Sequence, residues 1–428
     1  MKYRFNKKWL TCLCVMMVMM LTACSLNDII PSKKGTEITS GQGSTGTAGT
    51  SSAGYEELQV EESVAVQDTE YIDEQYDFEK VTGVSQAQLE QIKSEQEGKY
   101  AYSVMDEKLH TLYAELVVII DKEAEGVRVS TTDSDELQYV FQCVFNDHPE
   151  FYWIEGYSYI KHEMGGETIY LTFSGKYTYT KEERSVYDVD ISMYVGRCSA
   201  GIGQSSSDYE KVKHVYEYIV EHTEYEIGAP DNQNILSVFI YGKSVCQGYA
   251  KAMQYMLEKL GVDCTLVVGY AMTGEGHAWN LVNIDGAYYY CDATWGDASY
   301  VFEGSSVGTS YPDTINYDFL NVTTDELLKT HMIENVVPMP YCSQTEANYY
   351  VMEGLLFTSV DTNQLANVFS SAYSQSQSSI TIKCSDDAVY DAMYDELIEN
   401  MSVFDYLGDT EEVSYTVSEE YNTFIFWL

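Results

Sequence analysis

The chain has 428 residues, 67 acidic against 24 basic, and a formal charge of −43. A field this negative repels nucleic acid and anionic membrane surfaces and excludes both as electrostatic partners. The 45% hydrophobic content and 39 tyrosines argue against a disordered acidic protein and for a substantial core.

Lys2, Arg4, Lys7 and Lys8 precede an uncharged run from Trp9 to Leu21. The run falls short of the roughly twenty residues a membrane-spanning helix needs, so it fits an export signal. Leu21-Thr22-Ala23-Cys24 resembles the bacterial lipobox, in which the signal is cut before a cysteine that is then lipidated. The expectation is a signal peptide over residues 1–23, a lipid on Cys24, and attachment to the extracytoplasmic face of the cell membrane. Residues 24–95 read as a disordered tether. Fifteen of the twenty residues from Gly35 to Gly54 are Gly, Ser or Thr, and the stretch from Glu56 to Lys80 is strongly acidic. A flexible chain of about seventy residues would span roughly 45 Å end to end.

With Cys12, Cys14 and Cys24 set aside, seven cysteines remain: Cys143, Cys198, Cys246, Cys264, Cys291, Cys342 and Cys384. No CxxC pair occurs among them, which argues against a zinc site; no metal or cofactor is expected. Their odd number leaves at least one thiol outside any intrachain disulfide.

Residues 96–204 read as an α+β region. Apolar spacing predicts helices over residues 101–122 and 135–145, the second capped by Asp133 or Ser134. A hairpin over residues 151–160 and 168–173 turns at Gly165-Gly166, and a helix over 180–193 follows. Residues 205–312 hold the functional candidates. Residues 208–226 form an amphipathic helix whose His214 and His222 need only a packing role. Ser244 and Gln247 fit a capping box, which would put Cys246 at the second position of a helix ending before Gly261. There the unpaired backbone N–H groups favour a thiolate and form half of an oxyanion hole.

Asp285-Gly286 is a preferred dipeptide for a two-residue hairpin turn. Counting outward from it sets Asp292 opposite Trp279, so His277 and Asp292 are diagonal neighbours about 7–8 Å apart on one face. Glu275 and Asn280 compete as partners for His277, but Asn280 alternates to the opposite face, as does the core-like Cys291 relative to Asp292. Residues 313–428 read as an α/β region. They comprise a helix from Thr324 to Met332, strands over Tyr349–Val351 and Leu355–Thr358, then a β-α-β ending over residues 379–384, 387–401 and 413–428. Nothing in that region reads as a site.

The blocks Ser244-Val245-Cys246-Gln247-Gly248-Tyr249-Ala250, Gly276-His277-Ala278-Trp279-Asn280 and Tyr290-Cys291-Asp292-Ala293-Thr294-Trp295 resemble, in order and spacing, the motifs of the transglutaminase-like superfamily. That resemblance spans about residues 208–298. It implies an α+β fold related to papain-type proteases, with a nucleophile helix packed on an antiparallel sheet. By the same resemblance Cys246 is the nucleophile, His277 the general base and acid, and Asp292 the orienting carboxylate. Tyr225 is the upstream aromatic candidate for an oxyanion donor. The implied activity is acyl transfer on protein or peptide amides, with hydrolysis favoured over crosslinking. The alternative is a catalytically idle domain that binds proteins or glycans at the surface.

Overall fold

The computed structural model describes residues 59–66, 77–203, 205–297, 314–408 and 412–428. The expected signal peptide, Cys24 and most of the expected tether lie outside the described residues. Four strands, β1 (Gln59–Val66), β2 (Val127–Val129), β3 (Ile154–Met164) and β4 (Glu167–Tyr177), form a first sheet in the order β1-β3-β4-β2. This corrects the tether reading for residues 59–66 and 77–95: β1 pairs in parallel with β3, and helices Phe78–Thr82 and Gln86–Glu95 follow. Two acids of that run, Glu61 and Glu62, stay exposed yet find partners on the sheet. Glu62 meets the Tyr159 hydroxyl at 2.7 Å and Lys161 at 3.0 Å, and Glu61 meets Lys176 at 2.6 Å.

The β3–β4 hairpin turns at Gly165 and Gly166, both with positive φ, a conformation that favours glycine. Its inward Tyr157, Leu171 and Phe173 share a core with helices His110–Lys122 and Ser134–Asp147. The expected 101–122 helix is broken. Met105 is extended after Tyr100–Val104, and Asp106 then caps a short turn before His110. Asp147, 1% exposed, accepts the Ala101 and Tyr102 N–H groups at 2.9 Å and the Tyr113 hydroxyl at 2.9 Å. It also lies 3.4 Å from Thr265 Oγ1, which ties this region to the next sheet.

The central region begins with helix Asp208–His222, whose Ser207–Glu210 capping box satisfies its first turn. Two short segments, β5 (Glu224–Tyr225) and β6 (Lys243–Ser244), then pair in parallel. Helix Cys246–Lys259 leads to β7 (Cys264–Ala271), β8 (Gly276–Ile284) and β9 (Ala287–Cys291), with β10 (His331–Ile333) returning later. These four form an antiparallel sheet in the order β10-β7-β8-β9. Cys246 and Ala250 pack on Leu266, Val268 and Ala278 of that sheet, so the expected helix-on-sheet arrangement is present. One buried cluster runs from Ala101 to Tyr350, giving the first and central regions a common core.

Beyond residue 313 three element assignments change, one being residues 413–428, where the single expected strand is two antiparallel ones, Ser414–Ser418 and Thr423–Trp427. The helix expected to reach Met332 stops at Leu327, and His331–Ile333 instead pairs with residues 269–271 as an edge strand. Residues 349–352 are helical rather than extended, because the Asn348 side chain accepts from the Tyr350 N–H and starts a turn. The end of the chain builds a second core. Strands β11 (Leu356–Phe357), β12 (Ser379–Cys384), β13 (Ser414–Ser418) and β14 (Thr423–Trp427) order as β11-β12-β14-β13. Their Phe357, Ile382, Phe424 and Phe426 pack against Leu365, Phe369 and Met393 from two helices. Among the described residues no helix is long and apolar enough to cross a membrane.

Gly269 permits the closest approach in the central sheet. A Cβ there would lie 2.1 Å from the Met332 carbonyl oxygen and 2.7 Å from Trp279 Cη2. Gly269→Ala is therefore expected to push β10 off the sheet and to lower stability in urea denaturation by about 1–3 kcal/mol, the range for overpacking.

Candidate functional site

Cys246 is the first residue of its helix, not the second. The N-cap is Val245, which offers no capping side chain, so the expected Ser244–Gln247 capping box is absent. Both side chains are spent elsewhere. Ser244 Oγ lies 2.6 Å from Ser237 Oγ and 3.2 Å from the Asn232 carbonyl, and Gln247 Nε2 donates to the Gln233 carbonyl at 3.1 Å. These bonds draw the loop of residues 232–244 onto the first helical turn. The fit needs Gly248, where a Cβ would meet Ser244 Oγ at 1.9 Å and Ser237 Oγ at 2.6 Å. The first helical hydrogen bond runs from Tyr249 N–H to the Val245 carbonyl. The helix therefore does not consume the amides of its opening residues, and its dipole favours negative charge at Cys246.

His277 and Asp292 meet as the hairpin register requires. Asp285 and Gly286 both have positive φ, and pairing runs from Ile284–Ala287 out to Asn280–Cys291. One step further, Asp292 leaves the strand and caps the short helix Ala293–Gly296, its Oδ1 accepting the Thr294 and Trp295 N–H groups at 2.9 and 3.1 Å. Its Oδ2 lies 2.6 Å from His277 Nε2. With Nε2 committed to the carboxylate, Nδ1 is left for the Cys246 sulfur, which is a hydrogen-bonding neighbour of the ring. The three residues of the sequence reading are thus brought together, and all three are buried. Asn280 faces away, donating to the Ala250 carbonyl at 2.9 Å, and Cys291 is core, its sulfur 3.0 Å from Asn321 Oδ1. His214 and His222 bond to the carbonyls of Cys198 and Tyr218, as expected of packing residues.

Electrostatics favour a protonated His277. Burial works against the charged ring, but Asp292 and the Cys246 sulfur outweigh it and raise its pKa from 6.5 to about 10. For Asp292, burial is likewise outweighed, here by the charge and hydrogen bond of His277 and by His331, which hold the carboxyl well below its usual range. Tyr225 stands beside the cysteine because β5 pairs with β6, setting it opposite Ser244. Burial and the charges of Cys246, Glu275 and Asp292 push its phenol upward, keeping the hydroxyl a neutral donor.

His331 was missed in the sequence. Fully buried, it places Nε2 3.1 Å from Asp292 Oδ2. Trp279, Trp295 and Phe319 enclose it at ring separations of 4.9, 4.5 and 5.8 Å. A three-residue edge strand carries no readable period, which is why the reading passed it over. His277, Asp292 and His331 each present a ligand atom, all within 4.8 Å of one another. Two imidazoles and a carboxylate would suit zinc by type. But the 2.6 Å between His277 Nε2 and Asp292 Oδ2 is a hydrogen-bond length. It is shorter than the roughly 3.3 Å that two donors about 2.0 Å from a tetrahedral ion would keep. Among the described residues no disulfide forms.

Residues 196–293 match the family model of the transglutaminase-like superfamily. The chain is 30% identical over 109 residues to kyphoscoliosis peptidase of mouse and of human. The aligned part covers 22% of this chain and 16% of each relative, so the chain spans about a sixth of the length of the curated relatives it matches. Among solved structures, a TGase is 21% identical with a TM-score of 0.25, covering 37% of this chain and 48% of that one. The periplasmic domain of TgpA from Pseudomonas aeruginosa is 13% identical with a TM-score of 0.21, covering 30% and 55%. The central segment is a transglutaminase-like domain homologous to a peptidase.

The raised pKa of His277 fixes a stability window. Its contribution is full below the ordinary value of 6.5 and is lost as pH rises through about 10. The urea midpoint of the wild type should therefore fall across that interval, and Asp292→Asn should flatten the fall.

Proposed function

We propose that this chain is a cysteine acyl-transfer enzyme acting on protein or peptide amides, with Cys246, His277 and Asp292 as its triad and hydrolysis as its outcome. The observation that carries the proposal is the 2.6 Å His277–Asp292 bond on a ring that the Cys246 sulfur also reaches by charge and hydrogen bond. In this reading Cys246 attacks the substrate carbonyl as a thiolate, and the opening amides of its helix, with the Tyr225 hydroxyl, receive the oxyanion. The C–N bond breaks as His277 gives its Nδ1 proton to the departing amine. A thioester remains on Cys246. Neutral His277 then takes a proton from water, the hydroxide attacks the thioester, and the acid leaves as the thiolate re-forms. Asp292 stays ionised throughout and holds the ring in the orientation both steps need.

The sequence also supports export and a lipid at Cys24, which would hold the enzyme at the extracytoplasmic face of a membrane. Cys24→Ser should then move the protein from the membrane fraction to the soluble one.

Iodoacetamide at neutral pH should label Cys246 ahead of the other six buried thiols, and His277→Ala should slow that labelling at least about a hundredfold, as loss of the activating base implies. Equal labelling of several cysteines, or no change in the variant, would overturn the triad. Peptide mixtures with and without a primary amine, read by mass spectrometry, should give hydrolysed products in both. Tyr225→Phe should lower turnover by on the order of a hundredfold if its hydroxyl serves the oxyanion.

A further inference from the structure

We infer that His331 is a positioning residue for the proposed triad, held as a neutral one-way donor to Asp292 by a hydrogen-bond chain that begins at Tyr421 in the C-terminal unit. This rests on the triad reading above. It adds a fourth side chain and a second structural unit to it.

With His331 neutral, the chain has one consistent proton order. Asp292 is a carboxylate and can only accept, so both His277 Nε2 and His331 Nε2 must carry the protons directed at Oδ2, at 2.6 and 3.1 Å. His331 Nδ1 lies 2.9 Å from Thr330 Oγ1, and Thr330 Oγ1 lies 2.8 Å from the Tyr421 hydroxyl. If His331 is neutral, Nδ1 accepts from Thr330, and Thr330 must then accept from Tyr421. Neutrality follows from its surroundings. Burial among Trp279, Trp295 and Phe319, joined by the nearby charge of His277, disfavours a second imidazolium and outweighs the opposing pull of Asp292 and of the Leu327 backbone. The titratable groups facing the ring are Asp292, His277 and, through Thr330, Tyr421.

The chemical consequence concerns how the carboxylate charge is divided. Two imidazolium rings on one oxygen would compete, whereas a neutral second donor fixes the carboxylate and takes up part of its charge without cancelling it. His277 thereby keeps its proton, but not so tightly that transfer to the leaving amine is blocked. Tyr421 lies just before β14, and the Lys329 Nζ–Glu420 carbonyl bond of 2.8 Å clamps the same turn to the segment that precedes His331.

The test compares wild type, His331→Phe and His331→Gln by the pH dependence of Cys246 alkylation with iodoacetamide, with thermal melting as the check on folding. Phenylalanine removes the donor while keeping a ring; glutamine keeps a neutral N–H donor. His331→Phe should move the alkaline inflection assigned to His277 upward by about one pH unit, a tenfold tighter hold on the proton. His331→Gln should return it toward wild type. If the two variants shift alike, shift downward, or leave the profile unmoved while Cys246 remains the selective target, the positioning role is overturned and the triad stands. If wild-type Cys246 is not the selective target, the triad itself fails.

Discussion

A buried carboxylate governs the architecture around the site. An isolated charge taken out of water costs several kcal/mol, and Asp292 is 1% exposed. It is tolerated because four donors converge on it: two backbone amides from the turn it caps and two imidazole nitrogens from β8 and β10. The four donors come from three separate stretches of chain. Hairpin register, edge-strand attachment and the short helix after β9 must therefore all be correct at once for one side chain to remain ionised. The Cys246 helix then has only to dock on this arrangement, through Ala250, Ala278 and Asn280.

The way the helix starts follows a similar economy. A side-chain cap would stabilise it by about 1 kcal/mol, yet Val245 supplies none. Ser244 and Gln247, which could have capped, instead fasten the loop of residues 232–244 against the opening turn. Local helix stability is given up, since the N-cap residue places no side chain over the opening amides. Tyr249 offsets part of this, its hydroxyl lying 2.9 Å from the Thr223 carbonyl and 2.7 Å from Asp297 Oδ2.

What could be read in the sequence was whatever local geometry dictates. The Asp285-Gly286 turn permits one register, and that register alone puts Asp292 beside His277. Cys246 at a helix start was legible too, though through a capping pattern that the fold uses for something else. Tyr225 came from resemblance, and the β5–β6 pairing supplies the physical reason it stands near the cysteine. His331 could not be found this way. It is 39 residues from Asp292, on a strand of three residues that exists only because Gly269 lets it approach β7. The strand β1 was hidden for a related reason: its acidic residues read as a solvated run, and their partners Lys161 and Lys176 lie far along the chain on β3 and β4.

The reach of Tyr421 bears on what can be cut from this protein. Tyr421 packs edge-on to Phe319 at 5.3 Å, and Thr423 nearby bonds to Asp318, so the C-terminal unit is keyed into the segment just after the hairpin. Residues 196–293, the part shared with the family, stop short of His331 and of the Thr330 and Tyr421 hydroxyls linked to it. Excised at those bounds, the segment would expose Trp279, lose Trp295 altogether and leave Asp292 with His277 alone of its four donors. The smallest piece able to preserve the site as it stands extends to the last strand, well over a hundred residues past the boundary of the homology.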